Sequence, residues 1–421
     1  MKFDKYSISD EIKKNLTRMG FKRPTDIQFK SIPSILKGED VLAIAQTGTG
    51  KTAAFAIPVI AKIHTAKTSK RSMGIKCLVM VPTRELAMQI GEVFNQLAIH
   101  TRVKIFALYG GVEQDAQIKK LQDGIDVLVT TPGRMFDLIS QGHIRLNSIN
   151  TLVLDEADRM LDLGFIEDIK QIKNKLTRKH QTLFFSATIN RKIKKLAFSQ
   201  VKSSAIRIQV SPEDRVSKNV SHAVVFVDMD DKRFFLERYI NDNPDAKIIV
   251  FVRTKVRAER VYKAMERVSI PTVTIHGDKD QAERSEGMAA FRQGTCRILI
   301  ATDVSARGID IPDVTVVINY DLPTEPEYYV HRVGRTGRGT NKGIAISFCS
   351  PGEKEGLDAI EHFLNAPIEQ MTVSKRDYTA TLELHSRQHD VMALIEANEN
   401  WKKKRKGKSG KQKPVLCKKS S

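Results

Sequence analysis

A glycine-rich stretch near the amino terminus has the composition of a phosphate-binding loop. It lies between the apolar run 41–44 and a helix-like segment, and it consists of Ala45, Gln46, Thr47, Gly48, Thr49, Gly50, Lys51 and Thr52. Glycines at a helix start let backbone N–H groups point at phosphate oxygens, Lys51 would neutralise the β- and γ-phosphates, and the Thr52 hydroxyl would ligate Mg²⁺. The strict pattern has glycine where Ala45 stands. The alternative is a glycine-rich turn that binds no ligand.

An acidic tetrapeptide, residues 155–158, follows a second apolar run at 152–154. A carboxylate at such a strand end can complete the coordination of Mg²⁺ opposite a phosphate loop. We therefore predict that Asp155 holds the metal through its waters and that Glu156 orients and deprotonates an attacking water. The alternative for the tetrapeptide alone is a solvated acidic turn, but its occurrence together with Lys51 favours the metal site.

These motifs must be positioned by a sheet, because short apolar runs recur along the chain with helix-like stretches between them. About six runs lie in each half, at 41–44, 78–81, 105–108, 127–129, 152–154 and 183–185, then at 224–227, 248–252, 273–275, 298–300, 314–318 and 344–346. The runs do not alternate with polar residues, which predicts strands buried on both faces. Strands that alternate with helices predict two doubly wound parallel-sheet α/β domains. Ligands bind beyond the carboxyl ends of such strands, where both motifs lie.

The loop at 45–52 and the Asp-Glu-Ala-Asp tetrapeptide resemble those of the DEAD-box family of ATP-dependent RNA helicases, over roughly residues 1–370. The resemblance implies two tandem RecA-like domains with ATP and Mg²⁺ between them. The implied divisions are a Q-motif region at 1–30, the ATP-binding domain at 31–210, a linker at 211–220, the second domain at 221–370 and an extension with a disordered basic tail at 371–421. Residues 159–165 and the short tail resemble the bacterial RhlE-type subgroup.

Residues 20–28 resemble the family's Q motif, with Phe3 as its upstream aromatic. The Gln28 amide can donate and accept at once, which suits the N6 and N7 edge of adenine. The resemblance implies that Phe21 stacks on the base and that ATP is preferred over GTP. By itself, a glutamine after a proline turn would be a surface residue.

Other motifs in the family's order imply contacts to the RNA backbone. Helix N-termini, hydroxyls and arginines recognise phosphates without reading sequence. The implied RNA-binding residues are Pro82, Thr83, Arg84, Gly111, Thr131, Pro132 and Arg134 in the first domain, and Arg253, Gly277 and Thr302 in the second. Without the resemblance, the Pro-Gly motif at 132–133 reads as an ordinary turn.

The remaining implied residues couple ATP binding to RNA binding and complete the ATP site. The hydroxyls of Ser186 and Thr188 are expected to bond to Asp158, and His331 is expected to contact the acid or hydroxyl network across the cleft. Arg335 and Arg338 would be arginine fingers on the γ-phosphate, while Gly308 and Asp310 would contact the nucleotide, with Asp310 on the ribose. A plain RNA-phosphate patch is the alternative for the arginine run.

The charge of the chain agrees with a polyanionic partner. Lys and Arg total 69 and Asp and Glu total 49, for a formal net charge of +20. Residues 402–421 carry ten of the basic residues and no acidic one. Such an excess favours nucleic acid or an anionic membrane surface. We predict that the tail adds nonspecific RNA affinity, and the alternative is a solvated tail with no specific partner.

Several classes of protein are excluded by the same sequence. The longest apolar stretches are too short to cross a bilayer, and the first residues lack the apolar core of a signal peptide. Four widely spaced cysteines, Cys77, Cys296, Cys349 and Cys417, indicate free thiols in a reducing compartment rather than a zinc site or a disulfide framework. We therefore expect a cytoplasmic protein, or a nuclear one if the cell has a nucleus, without a membrane partner.

The predicted function is RNA-stimulated ATP hydrolysis coupled to local unwinding or remodelling of RNA duplexes and ribonucleoproteins. The expected partner is RNA with little sequence preference, in ribosomal precursors or mRNA decay, and the expected state is a monomer. Three alternatives stay open: a DNA helicase of the same superfamily, an ATP-dependent RNA clamp or scaffold, and a basic RNA-binding protein with a decayed ATP site. Intact Lys51, Asp155, Glu156 and Arg338 argue against the last.

Overall fold

The computed structural model describes residues 2–46, 48–69, 71–72, 74–210, 216–217, 219–306, 311, 313–337, 341–374 and 376–382. Four residues of the predicted ATP site, most of the predicted linker and the basic tail lie outside this part of the chain. The four site residues are Thr47, Gly308, Asp310 and Arg338.

The first half of the chain forms one seven-stranded sheet. Its strands are β1 Val41–Ala45, β2 Cys77–Met80, β3 Ile105–Leu108, β4 Val127–Thr130, β5 Thr151–Leu154, β6 Gln181–Ser186 and β7 Ile206–Val210. The spatial order is β3-β4-β2-β5-β6-β1-β7, and every neighbouring pair is parallel. The phosphate loop follows the first strand in sequence, β1, and the acidic tetrapeptide follows β5, so both lie at the carboxyl edge.

The second half forms another seven-stranded parallel sheet. Its strands are β8 Val220–Phe226, β9 Ile248–Val252, β10 Val273–Ile275, β11 Ile298–Thr302, β12 Val316–Asn319, β13 Gly343–Cys349 and β14 Glu369–Gln370. The spatial order is β10-β11-β9-β12-β13-β8-β14. Counted from the first strand of each half, this is the strand order of the first sheet repeated.

Helices connect the strands and cover both faces of each sheet. The N-terminal unit, which is the first sheet with its helices, contains α1 Asp10–Arg18, α2 Asp26–Leu36, α3 Lys51–Ala66, α4 Arg84–Leu97, α5 Gln114–Gln122, α6 Pro132–Ser140, α7 Ala157–Asp162, α8 Ile166–Lys175 and α9 Arg191–Gln200. The C-terminal unit contains α10 Lys232–Asp242, α11 Lys255–Arg267, α12 Gln281–Gln293, α13 Asp303–Ala306, α14 Pro326–Val333 and α15 Lys354–Leu364. Short 3₁₀ helices span Phe3–Lys5 and Pro351–Glu353.

The apolar runs are buried on both faces, as the absence of alternation predicts. In β1, Val41 and Ala43 belong to one apolar core, whereas Leu42 and Ile44 belong to the core on the other face of the sheet. The C-terminal unit divides its strands between two cores in the same way. Burial of both faces drives each sheet together through the hydrophobic effect.

Each sheet has one more strand than the six predicted. The extra strand β7 lies at the edge, where Arg207 and Gln209 alternate with Ile206 and Ile208. A half-exposed edge strand therefore lacks the continuous apolar pattern that marks the buried ones. The other extra strand, β14, has only two residues, and both are exposed. Among the described residues, no helix is long and apolar enough to span a membrane.

Candidate active site

The phosphate loop adopts a conformation that depends on glycine. Gly48 and Gly50 have φ angles of 83° and 88°, in the left-handed region that glycine enters without steric cost. A Cβ atom on Gly50 would lie 2.4 Å from the Gln28 amide nitrogen. Lys51 begins α3, is buried, and donates from Nζ to the carbonyl of Ala45 at 2.8 Å. The N–H groups that open α3 thus lie where a phosphate would bind.

The start of α2 is bound to this loop by two side chains. The Thr25 hydroxyl donates to the carbonyl of Thr49 at 2.8 Å, and the Gln28 amide nitrogen donates to the carbonyl of Gly50 at 3.1 Å. The Gln28 amide oxygen accepts the Thr25 N–H, which completes a capping box. Buried Gln28 therefore supports the loop, a role that the sequence did not reveal. The predicted recognition of adenine by Gln28 stays a prediction.

The two carboxylates after β5 lie in different surroundings. Asp155 is buried, and its Oδ1 accepts the N–H of Glu156 at 2.9 Å. Burial raises the pKa of Asp155 to about 7, against the lowering effect of the Lys51 charge. A divalent cation would offset this unfavourable burial of a carboxylate. Glu156 has a left-handed backbone, with φ 50°, a rare conformation for a residue with a side chain and one that functional sites often hold.

The last acid of the tetrapeptide, Asp158, forms hydrogen bonds with the loop after β6. Asp158 Oδ2 accepts hydrogen bonds from the N–H groups of Ala187 and Thr188 at 3.1 and 3.0 Å and from the Thr188 hydroxyl at 3.1 Å. The predicted contact of Thr188 is therefore confirmed. The predicted contact of Ser186 is wrong, because its hydroxyl donates to the carbonyl of Thr188 at 2.9 Å. Ser186 is the last residue of β6 and fully buried, so its hydroxyl closes the turn instead.

The predicted RNA motifs of the N-terminal unit support one another. Thr83 caps α4 by accepting the Leu86 N–H at 3.4 Å. Arg84 begins that helix, and its guanidinium lies so close to Gly111, with φ 78°, that a Cβ there would be 1.9 Å from Arg84 Nη1. Two motifs separated in sequence thus form one surface at the carboxyl edge of the sheet, where open parallel sheets bind ligands.

The motif at 131–134 begins α6. Thr131 is its N-cap residue and Pro132 its first residue, and proline favours this position. Arg134 donates to the Gln117 amide oxygen at 2.7 Å and to the carbonyl of Val112 at 3.2 Å. The Arg134 side chain therefore holds the loop that contains Gly111.

The arginine motif of the C-terminal unit lies on and just after α14. Arg335 is buried and donates from Nε to the carbonyl of His331 at 3.1 Å. The sequence did not single out Arg332, which forms two parallel hydrogen bonds with the Asp303 carboxylate at 2.6 and 2.7 Å. Fully buried Arg332 also donates to the carbonyl of Asp321 at 2.7 Å. This residue positions the motif rather than extending toward a ligand.

The predicted RNA residues of the C-terminal unit lie at its carboxyl edge. Thr302 ends β11, and its hydroxyl shares a hydrogen bond with the Ser305 hydroxyl at 2.9 Å. Arg253 follows β9 and pairs with Glu353 at 3.1 Å. Gly277 comes two residues after β10, and nothing would lie within 4 Å of a Cβ there. These three residues share a position at one edge of the sheet. The side chains of Thr302 and Arg253 already have partners there.

Side-chain contacts between described residues join the units. Arg284, on α12, forms an ion pair with Glu85, on α4. The Tyr328 hydroxyl, on α14, donates to the Asp162 carboxylate at 2.9 Å. Asp162 ends the helix that begins after Glu156, so this contact joins the helix of the acidic tetrapeptide to the helix of the arginine motif.

Two parallel sheets of one strand order, with a phosphate loop and two carboxylates at the edge of the first, define a two-lobed nucleoside triphosphatase of the helicase type. Comparison with known families agrees: the DEAD/DEAH box helicase family matches residues 25–196, and the helicase conserved C-terminal domain matches residues 231–340. The DEAD-box ATP-dependent RNA helicase CshA of Bacillus subtilis is 40% identical over 88% of this chain and 74% of its own length. The chain belongs to the DEAD-box family of RNA helicases.

Solved structures support the same assignment. Saccharomyces cerevisiae Dbp5 bound to RNA and ADP-BeF₃ is 31% identical, with a TM-score of 0.80 over 92% of this chain and 99% of that one. Mss116p bound to single-stranded RNA and AMP-PNP is 27% identical, with a TM-score of 0.81 over 95% of this chain and 86% of that one. The expected likeness to the RhlE-type subgroup finds no support in the relatives compared, which carry the name CshA.

Proposed function

We propose that this chain hydrolyses ATP when RNA is bound and uses the cycle to separate or remodel short RNA duplexes and ribonucleoproteins. The observation that carries the proposal is the convergence of Lys51, Asp155 and Glu156 at one sheet edge. Direct contacts join that edge's helices to the C-terminal unit, on which the arginine motif lies. The curated relatives of this chain are also named ATP-dependent RNA helicases.

The nucleotide site is assigned to both units, with the phosphate and metal ligands on the N-terminal unit and the arginine motif on the C-terminal unit. N–H groups at the start of α3 and the Lys51 ammonium would hold phosphate oxygens, and the Thr52 hydroxyl with Asp155 would hold Mg²⁺. The metal would neutralise negative charge on the phosphates. Glu156 accepts a proton from the attacking water and fixes its direction. Arg335, with Arg338, would stabilise charge that develops during phosphoryl transfer, Gly308 and Asp310 would contact the nucleotide, and Phe21 with Gln28 would select adenine.

The RNA side is assigned to both carboxyl edges. In the N-terminal unit, Pro82, Thr83, Arg84, Gly111, Thr131, Pro132 and Arg134 surround the starts of α4 and α6, whose N–H groups suit phosphate oxygens. Arg253, Gly277 and Thr302 extend this surface onto the C-terminal unit. Asp158, Ser186, Thr188 and His331 would transmit the state of one ligand to the other, because Asp158 follows the metal-binding carboxylate by three residues and holds the loop after β6.

The broader assignments rest on the family and on charge. We place the functional domains at 31–210 and 221–370, preceded by the Q-motif region 1–30, separated by the linker 211–220 and followed by the extension 371–421. The RNA would be ribosomal precursor or mRNA under decay, bound by a monomer in the cytoplasm. The basic tail at 402–421 would add nonspecific affinity.

One experiment separates the proposed function from its alternatives. ATP hydrolysis is measured alone and with single-stranded RNA, duplex RNA and DNA, and strand displacement is measured on the same duplexes. We expect RNA to stimulate hydrolysis, DNA not to do so, and the RNA duplex to separate only with ATP. Equal stimulation by DNA would indicate a DNA helicase, and stimulated hydrolysis without displacement would indicate a clamp. Hydrolysis that is indifferent to RNA would refute the proposal.

A further inference from the structure

A cavity of about 500 Å³ lies at the edge of the first sheet opposite the phosphate loop. Among the residues that line it, Lys76 and Asn150 directly precede β2 and β5, and Lys179 precedes β6 by two residues. The active-site residues instead follow the carboxyl ends of their strands. Since parallel strands all point the same way, this cavity is separate from the ATP and RNA surfaces described above.

The cavity has a strongly positive lining. Its described lining contains one carboxylate, that of Asp126, and six cationic side chains, those of Lys62, Lys67, Arg71, Lys76, Arg178 and Lys179. Asp126 already accepts hydrogen bonds from Lys67 Nζ at 2.6 Å, from the Ser72 hydroxyl at 2.9 Å and from the Lys104 N–H at 2.8 Å. Its charge is therefore compensated by Lys67, and Lys62, Arg71, Arg178 and Lys179 give the cavity an excess of positive charge.

The excess is not neutralised by nearby acids. In the part of the chain that the structure describes, no carboxylate lies within 4 Å of the side-chain nitrogens of Lys62, Arg71, Arg178 or Lys179. Lys62 Nζ donates instead to the neutral amide oxygen of Gln181 at 2.7 Å, and burial lowers its pKa. An anion in the cavity would offset the cost of holding a partly desolvated ammonium group there.

The remaining lining supplies an apolar surface beside the cations. Val59, Ile63 and Ile149 contribute hydrocarbon, and Ser148 and Asn150 contribute hydrogen-bonding groups. The volume lies within the range of roughly 300–1,000 Å³ that is usual for small-ligand sites. A ligand that suits this lining has a compact, partly apolar body and a strongly acidic end.

We propose that this cavity is a second phosphate site, which binds a nucleotide with its phosphate on the Arg178 and Lys179 side and its base or sugar on the apolar floor. The bound nucleotide is either a free molecule or one residue of an RNA chain, and the chemistry of recognition is the same for both. In either case the ligand occupies the N-terminal unit without using the phosphate loop.

The test uses the full chain carrying Lys51→Ala, so that binding at the phosphate loop is removed. ADP and a fluorescent single-stranded oligouridylate are the two probes, measured by calorimetry and by anisotropy. The double substitution Arg178→Ala/Lys179→Ala is compared with Lys263→Ala/Arg267→Ala, which removes one exposed lysine and one exposed arginine from α11 of the other unit. We expect Arg178→Ala/Lys179→Ala to lower the affinity for one probe by about tenfold relative to Lys263→Ala/Arg267→Ala, because phosphate contacts are lost.

The probe that weakens identifies the source: ADP indicates a free nucleotide, and oligouridylate indicates RNA. Equal binding of both probes to the two double variants would overturn the proposal. A second variant, Ala66→Trp, fills the cavity from the exposed last residue of α3 without changing charge. It is expected to weaken the same probe, and unchanged binding would overturn occupation of the cavity. Circular dichroism melting of each variant checks that the fold is kept.

Discussion

The two units place a lysine at the same point of the same topology and use it in opposite ways. Lys51 begins the helix after β1, and Lys232 begins the helix after β8, each with five residues between the strand and the lysine. Lys51 Nζ donates to the carbonyl of Ala45. Lys232, fully buried, donates to the carbonyl of Tyr320 at 2.8 Å and to the Glu353 carboxylate at 2.5 Å.

The acids at the fifth strand show a weaker contrast, because Glu156 also has a cation of its own unit nearby, Arg159 Nη1 at 3.6 Å. Glu156 is the second residue after β5, and Asp321 is the second residue after β12. Asp321 accepts the Arg253 N–H at 3.0 Å and pairs with Arg257 at 3.3 Å. The five residues before Lys232 contain no glycine and include three acids, Asp228, Asp230 and Asp231, which would repel phosphate.

The difference teaches that strand order fixes where a charged group stands but not what it binds. In the C-terminal unit each charge at the equivalent positions is neutralised by a side chain of the same unit. In the N-terminal unit the glycines shape the loop before Lys51, and the proposed nucleotide would bind there, beside Lys51 and the two carboxylates.

The largest expected effect is that of Lys51→Ala. Binding of ATP should be lost, and RNA-stimulated hydrolysis should fall by about 100-fold or more, because a cation on the phosphates disappears. Stability should change little, since Lys51 has a backbone carbonyl as its partner. Equilibrium binding of a labelled nucleotide and steady-state ATPase assays measure this, and wild-type binding by the variant would contradict the comparison.

Glu156→Gln should keep nucleotide binding and slow hydrolysis by about 10²- to 10⁴-fold, because an amide cannot accept the proton of the attacking water. Single-turnover hydrolysis with bound RNA measures the chemical step. Asp321→Asn is the matched change in the C-terminal unit and should leave that step nearly unchanged. Hydrolysis by Glu156→Gln at the wild-type rate would remove the role given to Glu156.

Lys232→Met should cost stability rather than nucleotide affinity. The substitution leaves the Glu353 carboxylate buried without its ammonium partner, which is expected to cost about 3–5 kcal/mol. Urea unfolding measures the loss, and ADP binding by the folded protein serves as the control. Adding Glu353→Gln should restore part of the stability. A stable variant that no longer binds ADP would reverse the assignment of the two lysines.

Thr188→Val should have a smaller effect, because Asp158 keeps the N–H groups of Ala187 and Thr188 as donors. Loss of one hydroxyl hydrogen bond is expected to cost about 1 kcal/mol and to lower the number of duplexes separated per ATP hydrolysed. Thr315→Val removes a hydroxyl that donates to the carbonyl of Lys247 at 3.3 Å just before β12, away from the assigned RNA residues, and is the matched control. An unchanged ratio in Thr188→Val would argue against coupling through Asp158.

The smallest effect is a pH dependence confined to β8. Burial lowers the pKa of His222, whose Nδ1 lies 2.9 Å from the Tyr329 hydroxyl. The unfolded chain therefore binds a proton near the ordinary pKa of about 6.5 while the folded chain does not. Stability is full above that pH and falls as the pH drops through it.

Hydrogen-exchange protection of β8 peptides should thus decrease from pH 7.5 to 5.5, whereas β1 peptides, which lack histidine, should decrease less. The pH values bracket the ordinary histidine pKa of about 6.5. His222→Gln should abolish the difference between the two strands. An equal pH response of β8 in His222→Gln and wild type would show that other groups titrate.

Local patterns predicted most of the scaffold. Buried strands such as β1 and β5 are marked by continuous apolar residues, and the loop at 45–52 is marked by its glycines, so both were found. The edge strand β7 was missed because half of its residues face solvent. The Ser186 contact was predicted wrongly because a hydroxyl two residues from a carbonyl can close its own turn, and sequence does not show which acceptor lies closer.

By itself, the sequence determined the two parallel sheets, the phosphate loop and the acid pair, because these depend on residues within a few positions of one another. Only the tertiary structure decided that Lys232 meets Glu353, that Arg332 meets Asp303 and that Gln28 supports the phosphate loop. Partners separated by up to 121 residues are brought together by packing of whole elements. Electrostatic attraction over a few ångströms then neutralises some charges and leaves others to bind a ligand.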